Sequence, residues 1–254
     1  MTLLQTLAVA FSMFSAIPMP QFEWNSKNMR YVLCAFPLVG VVCAVSWLVI
    51  SFAPVPQFLR AALFCVCPVI ITGGIHLDGY ADTCDALSSR GDCAKKQQIL
   101  SDPHCGAFAV IRLCIWFIIY FALCFTLNPA FKSIACAGLG FILSRVLSGW
   151  SVTALDTAKN TGLVHAFSTT ADKKKARLIL TAAAAALAAA MTVVGSIAGL
   201  LMSAVSLLLL LQLSHTAKRH FGGISGDICG WFLQKCELWQ LAALVSCQLA
   251  GAQI

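Results

Sequence analysis

Charged side chains are scarce in this chain of 254 residues: Asp, Glu, Lys and Arg make up 11% of it, against 59% hydrophobic residues. A soluble domain carries about a quarter charged residues, so the polar surface of a water-soluble globule is missing. Disorder, collagen and a coiled coil are excluded with it. No C-x-x-C pair occurs, which argues against a zinc site. There is no continuous basic face either, so nucleic acid is not an expected partner. What remains is strongly apolar, with a mean hydropathy of +0.85. This composition predicts an all-α fold: a polytopic transmembrane helical bundle of about six to eight spans, roughly 20 residues each, in one domain over residues 1–254.

Charge-free runs outline the spans. Tyr31 to Leu59 is punctuated by Pro37, Pro54 and Pro56, which predicts a helix ending near Ala53. Ala61 to Leu77 is broken at Gly73-Gly74, and Leu113 to Phe131 and Ser133 to Leu155 follow, the latter interrupted by Arg145. Leu178 to His215 is too long for one span, and Gly195 and Gly199 suggest a tight hairpin. The last run is Leu238 to Ile254. Met1 to Met13 is apolar without the basic start of a cleavable signal. Ending in Ile17-Pro18-Met19-Pro20, it fits an N-terminal re-entrant or interfacial helix. Among thirteen cysteines, Cys34, Cys43, Cys65, Cys67, Cys114, Cys124, Cys136 and Cys247 lie in these apolar stretches and read as small hydrophobes.

Basic residues sort by loop. Lys27 and Arg30; Arg90, Lys95 and Lys96; Lys159, Lys173 to Lys175 and Arg177; and Lys218, Arg219 and Lys235 form one set. The alternating loops hold little beyond Arg60 and Lys132. This asymmetry predicts a multi-pass protein of the cell membrane with the first set in the cytoplasm.

Acidic residues number only ten, and five fall between Asp78 and Asp102. Asp78, Asp82 and Asp85 stand at i, i+4 and i+7, so on a helix all three project from one face. Such carboxylates at the end of an apolar run call for compensation, and a hard divalent cation with oxygen ligands supplies it. Magnesium held by one or two carboxylates and by substrate phosphate suits phosphoryl transfer. The turn Asp102-Pro103-His104 and the loop Phe221-Gly222-Gly223-Ile224-Ser225-Gly226-Asp227 fall on the same predicted side. Backbone N–H groups of that loop would approach a phosphate, and Asp227 would complete a metal site. Arg145, a lone charge in an apolar span, suits either a phosphate contact or an ion pair with one of the aspartates. His76 and His104 are candidate contacts at the site, whereas His165, His215 and His220 read as structural.

At these segments the sequence resembles the cobalamin synthase family, the adenosylcobinamide-GDP ribazoletransferases. Residues 73–85 match its form G-G-x-H-x-D-G-x-A-D-T-x-D at every fixed position, with Ala86 in place of the glycine that follows. Phe14 to Pro20, Phe36 to Gly40, Ser144-Arg145 and Gly222-Gly223-x-x-Gly226-Asp227 are further similarities, and Pro103-His104 departs from the family's Ser-Arg. The resemblance implies a magnesium-dependent membrane enzyme. It would join adenosylcobinamide-GDP to the 5′-hydroxyl of α-ribazole, or to α-ribazole 5′-phosphate, releasing GMP. Asp78, Asp82, Asp85 and His76 are then the expected catalytic residues, and Asp78, Asp82, Asp85 and Asp227 the metal ligands. Arg145, Asp102, His104, Gly222, Gly223, Gly226 and Asp227 are expected to bind substrate. Apolar walls between helices are expected to receive the corrin. Two alternatives are a CDP-alcohol phosphotransferase, whose motif is spaced differently, and an ion-coupled transporter. Partners beyond the substrates are the bilayer and, as open options, a second copy or other enzymes of the pathway.

Overall fold

The computed structural model describes residues 2–158, 167 and 169–252; Lys159 and His165 lie outside them. Helices make up most of these residues, with a long connection between Phe14 and Val32, and the one bridge of strand type among them pairs Thr157 with Ile224. Helix α1 (Thr2–Phe14) stops before the Pro18–Pro20 segment. A single turn, α2 (Val32–Ala35), leads into α3 (Pro37–Ser51), where Pro37 occupies the first turn, the position that lacks a hydrogen-bonded N–H anyway. Then come α4 (Gln57–Thr72), α5 (Ile75–Ser88), α6 (Cys93–Ile99), α7 (Ala107–Thr126) and α8 (Phe131–Ala154). The chain closes with α9 (Lys173–Thr216), a π-turn (Ala217–Phe221) and α10 (Gly226–Leu249).

Helix α8 is the central post. It packs against α3, α9 and α10, while α5 packs on α10 and α7. Small residues set the close approaches: a β-carbon at Gly40 would lie 2.6 Å from the Phe141 carbonyl oxygen, so α3 and α8 touch backbone to side. Trp47, Phe64, Tyr120 and Phe141 fill the space between α3, α4, α7 and α8, and Trp47 Nε1 donates to the Phe64 carbonyl at 3.0 Å. Leu38, Val45, Val49, Ile70, Ile118, Leu178, Leu207 and Leu211 face outward, an apolar exterior suited to hydrocarbon. All thirteen cysteines are free.

Among the described residues, four helical segments are long and apolar enough to cross a membrane: Val32–Ser51, α7, α8 and Lys173–Phe221. The bent pair α4–α5 makes a fifth. That is fewer than the six to eight expected, and two helices account for the difference. Ser196 has φ 49° and ψ −125°, and there α9 folds back on itself. In a continuous helix residues twelve apart stand about 18 Å apart, yet Ser203 Oγ is 3.9 Å from Met191 Sδ. One helix thus supplies both arms of the expected hairpin. Helix α10 begins at Gly226, well before the predicted Leu238, and carries Asp227, Lys235 and Glu237 through its first half. It runs through charges that broke the run in the sequence, because Glu237 and Gln240 are buried with partners of their own.

The two sets of basic loops occupy opposite ends. Arg30 pairs with Asp172 at 3.0 Å, Lys96 Nζ meets His220 Nδ1 at 3.0 Å and Gln97 donates to the Phe221 carbonyl at 2.7 Å. At the other end Arg60 shares a cleft with Asn128 and Pro129, next to Lys132.

Candidate active site

Helix α4 ends because Gly73 and Gly74 both adopt left-handed backbone, φ 64° and 79°, which a β-carbon disfavours. The pair turns the chain by 93° into α5. On α5, His76, Tyr80, Thr83 and Cys84 are buried, while Asp78 is exposed and Asp82 and Asp85 are half-buried. The carboxylates therefore occupy the open stripe that the i, i+4, i+7 spacing implied.

Two glycines bring α10 onto this helix. A β-carbon at Gly79 would sit 2.7 Å from the Asp227 Cα, and one at Gly230 would sit 3.0 Å from the His76 carbonyl oxygen. Backbone rests on backbone, so Asp227, in the first turn of α10, stands beside Asp78 and Asp82. The charged neighbours of Asp82 are Asp78, Asp227 and Asp85. The same contact delivers the positive end of the α10 dipole to the carboxylates, with Ser225 capping Ile228 N–H.

Two hollows meet at Asp78. One, of about 140 Å³, is mainly apolar: Phe14, Leu33, Phe36, Val152 and Phe167 wall it, with Asp78 and Asp227 among the polar contributors. The other, of about 590 Å³, is more polar and brings Asp78 and Asp82 together with Asp102 and His104. There the Asp102 carboxylate accepts from the His104 backbone N–H at 3.0 Å and faces its Nδ1 at 2.7 Å. The backbone bond first, and the ring second, hold this carboxyl below the usual carboxylate range.

Other expected contacts are arranged differently. Arg145 is fully buried and pairs with Glu237 at 2.6 Å, donating also to the Phe141 carbonyl at 2.9 Å. Its guanidinium reaches neither an aspartate of the motif nor the lining of either hollow. Glu237 gives no signal in the sequence, because the apolar run there starts one residue later, at Leu238. The N–H groups of Gly222 and Gly223 both donate to the Ala217 carbonyl, so neither is free for a phosphate. Gly223 instead packs against residues 156–158, where Ile224 N–H donates to the Asp156 carbonyl at 2.9 Å. Gly226 does line the apolar hollow. Asp85 lies against Gly106, where a side chain would overlap its carboxylate, at the start of α7. His76 is buried in the apolar wall, its ring 5.6 Å from that of Phe36. That hollow is smaller than pockets for drug-sized ligands, which run to roughly 300–1,000 Å³, whereas the larger cleft also carries apolar walls from Val69, Leu77, Leu113 and Phe117.

Among the described residues no three His, Cys, Asp or Glu side chains converge on a ready-made metal cage. The donor set nonetheless fits magnesium. It is all oxygen, Asp78, Asp82 and Asp85 enter no ion pair among the described residues, and this ion ordinarily takes one or two carboxylates and leaves the rest of its shell to water and phosphate.

Residues 6–245 match the family described as cobalamin-5-phosphate synthase. An adenosylcobinamide-GDP ribazoletransferase of Lachnoclostridium phytofermentans is 37% identical over 246 residues, covering 95% of this chain and 94% of the relative. Proteins of the same name from Clostridium perfringens and Clostridium botulinum are 33% and 34% identical, over 92% and 93% of the chain and 94% and 95% of the relatives. No solved structure matches. With the motif helix, its crossing by α10 and a match along nearly the whole length, the chain belongs to the cobalamin-5-phosphate synthase family.

Proposed function

We propose that this protein catalyses the joining step its relatives are named for. The cobinamide-phosphate group of adenosylcobinamide-GDP passes to a ring hydroxyl of the ribose of α-ribazole or α-ribazole 5′-phosphate, giving adenosylcobalamin or its phosphate, and GMP; the 5′-hydroxyl expected from the sequence is already esterified in the 5′-phosphate and cannot serve both acceptors. The hydroxyl oxygen forms a bond to the phosphorus that carries cobinamide, the bridging P–O bond breaks, and GMP leaves with that oxygen. The hydroxyl proton goes to a carboxylate at the Asp78–Asp227 junction. Such transfer is mostly positioning and charge neutralisation.

The observation that carries this reading is the contact of Gly79 with Asp227, which gathers acids from two distant segments where two hollows meet. Asp78, Asp82 and Asp227 would hold magnesium, which supplies positive charge to the diphosphate when bound. The α10 N-terminus adds N–H donors for phosphate oxygens. Asp85 and His76 support α5 from either flank. The site faces the cytoplasm of a cell membrane in this reading, since the basic loops share its end. Purified protein in lipid with magnesium, adenosylcobinamide-GDP and α-ribazole should release GMP only when both substrates are present. No release with any divalent cation would overturn the reading.

A further inference from the structure

The apolar hollow shares Ile75 and Asp78 with the polar cleft, and three observations limit what it can hold. Its volume of about 140 Å³ excludes a corrin. Apolar cavities of roughly 150 Å³ take one aromatic ring of benzene's size. Its walls come from Phe14 and Phe36, whose ring centroids are 4.2 Å apart, with Phe167 at 5.6 Å from Phe14. Guanine, with polar atoms along its edges, would find few partners there. The polar residues of its lining are His76, Ser148, Asp78 and Asp227. His76 Nε2 is buried without a hydrogen-bond partner among the described residues, an unfavourable state that a ligand acceptor would relieve.

Resting on the reaction proposed above, we propose that this hollow is the seat of the acceptor's base. The base of α-ribazole is a benzimidazole with two methyl groups on its benzene ring and the ribose on its imidazole ring. Its apolar end therefore points away from the sugar. Seated with the dimethylated ring among Phe14, Phe36, Leu33 and Val152, it leaves the ribose at the Asp78–Asp227 end. The unsubstituted imidazole nitrogen is an acceptor for His76 Nε2. A ring hydroxyl of the ribose then meets the junction, while the donor's diphosphate enters through the polar cleft.

Val152→Phe, which fills the hollow from α8 without touching a carboxylate, tests this, with Val152→Leu as the milder variant. Steady-state kinetics with α-ribazole and with its analogue lacking both methyls supply the readout. The expected result is a KM for α-ribazole raised about tenfold or more, an unchanged KM for adenosylcobinamide-GDP, and a preference shifted toward the smaller base. Equilibrium dialysis of α-ribazole alone should lose binding in parallel. An unchanged acceptor KM and preference in active protein, or a rise in donor KM instead, overturns the assignment and leaves the reaction standing. Wild-type protein that binds α-ribazole but releases no GMP would defeat the reaction and not the seat. A variant that no longer folds is replaced by Val152→Leu, for which the same shift in preference is required.

Discussion

Gly79 of α5 and Asp227 of α10 meet with no side chain between them: a β-carbon at position 79 would lie 2.7 Å from the Asp227 Cα and 2.8 Å from its carbonyl oxygen. Neither atom can swing away, since both belong to a helix backbone. Gly79→Ala should therefore push the helices apart, at an overpacking cost of about 1–3 kcal/mol, and move Asp227 from its acidic neighbours. GMP release should fall at least about tenfold, a change of roughly 1.4 kcal/mol, together with a lower unfolding midpoint in detergent. Gly226→Ala is the contrast, because its β-carbon would meet nothing within 4 Å, and its midpoint should not move. Gly79→Ala with wild-type rate and midpoint would show that the contact is not needed.

The motif aspartates should not be equivalent. Asp82 has three acidic neighbours, Asp78, Asp227 and Asp85, whereas the Asp85 carboxylate is tucked against Gly106 at the beginning of α7. Asp82→Asn should lower turnover at least about a hundredfold, on the order of 3 kcal/mol, and raise the magnesium concentration needed for half-maximal rate. Asp85→Asn should cost less in rate and leave the magnesium requirement nearer to wild type. A titration of both variants against magnesium decides this, and equal effects would place Asp85 among the ligands.

The buried pair of Arg145 and Glu237, at 2.6 Å, couples α8 to α10 inside the bundle. Removing one partner strands the other charge, which typically costs about 3–5 kcal/mol. Arg145→Met and Glu237→Leu should each destabilise the protein strongly. The double variant should recover much of the loss, because an apolar pair of similar volume carries no stranded charge. Denaturation in detergent reads all three. In whatever folds, the KM values for both substrates should stay near wild type, since Arg145 lines neither hollow. A specific rise in the donor's KM would return Arg145 to the phosphate-binding role its sequence suggested.

Legibility in the sequence followed the range of the signal. Asp78, Asp82 and Asp85 share a face by spacing alone, and Gly195 to Gly199 marked the fold-back of α9, so both were readable locally. Glu237 was not, because Lys235 and Glu237 interrupt an apolar run, and only the tertiary partner Arg145 explains a helix through them. A glycine-rich stretch suggests amides free for phosphate, but those of Gly222 and Gly223 donate to the Ala217 carbonyl, a tertiary detail no spacing reveals. The aromatic hollow draws Phe14, Phe36 and Phe167 from three separated segments, and no local period announces such a set. Its size exists only once those segments meet.

Sidedness can be tested on the thiols. The loops carrying Arg30, Lys96, Lys173 to Lys175 and Lys218 are tied together through Arg30–Asp172 and Lys96–His220. Asp78 and Asp82 share a hollow with the Asp102–His104 turn at that end, so one orientation decides the side of the site. An excess of Lys and Arg in short loops marks the cytoplasmic face. Lys174 is exposed at the start of α9, and Lys174→Cys offers a thiol there. Cys93 and Cys105 are exposed as well, so labelling is read as the increment over wild type. An impermeant thiol reagent should give no increment in intact cells and a clear one in inverted vesicles. The opposite pattern would turn the bundle over, and because diphosphate substrates do not cross hydrocarbon, it would also remove the site from the compartment where such nucleotides are made.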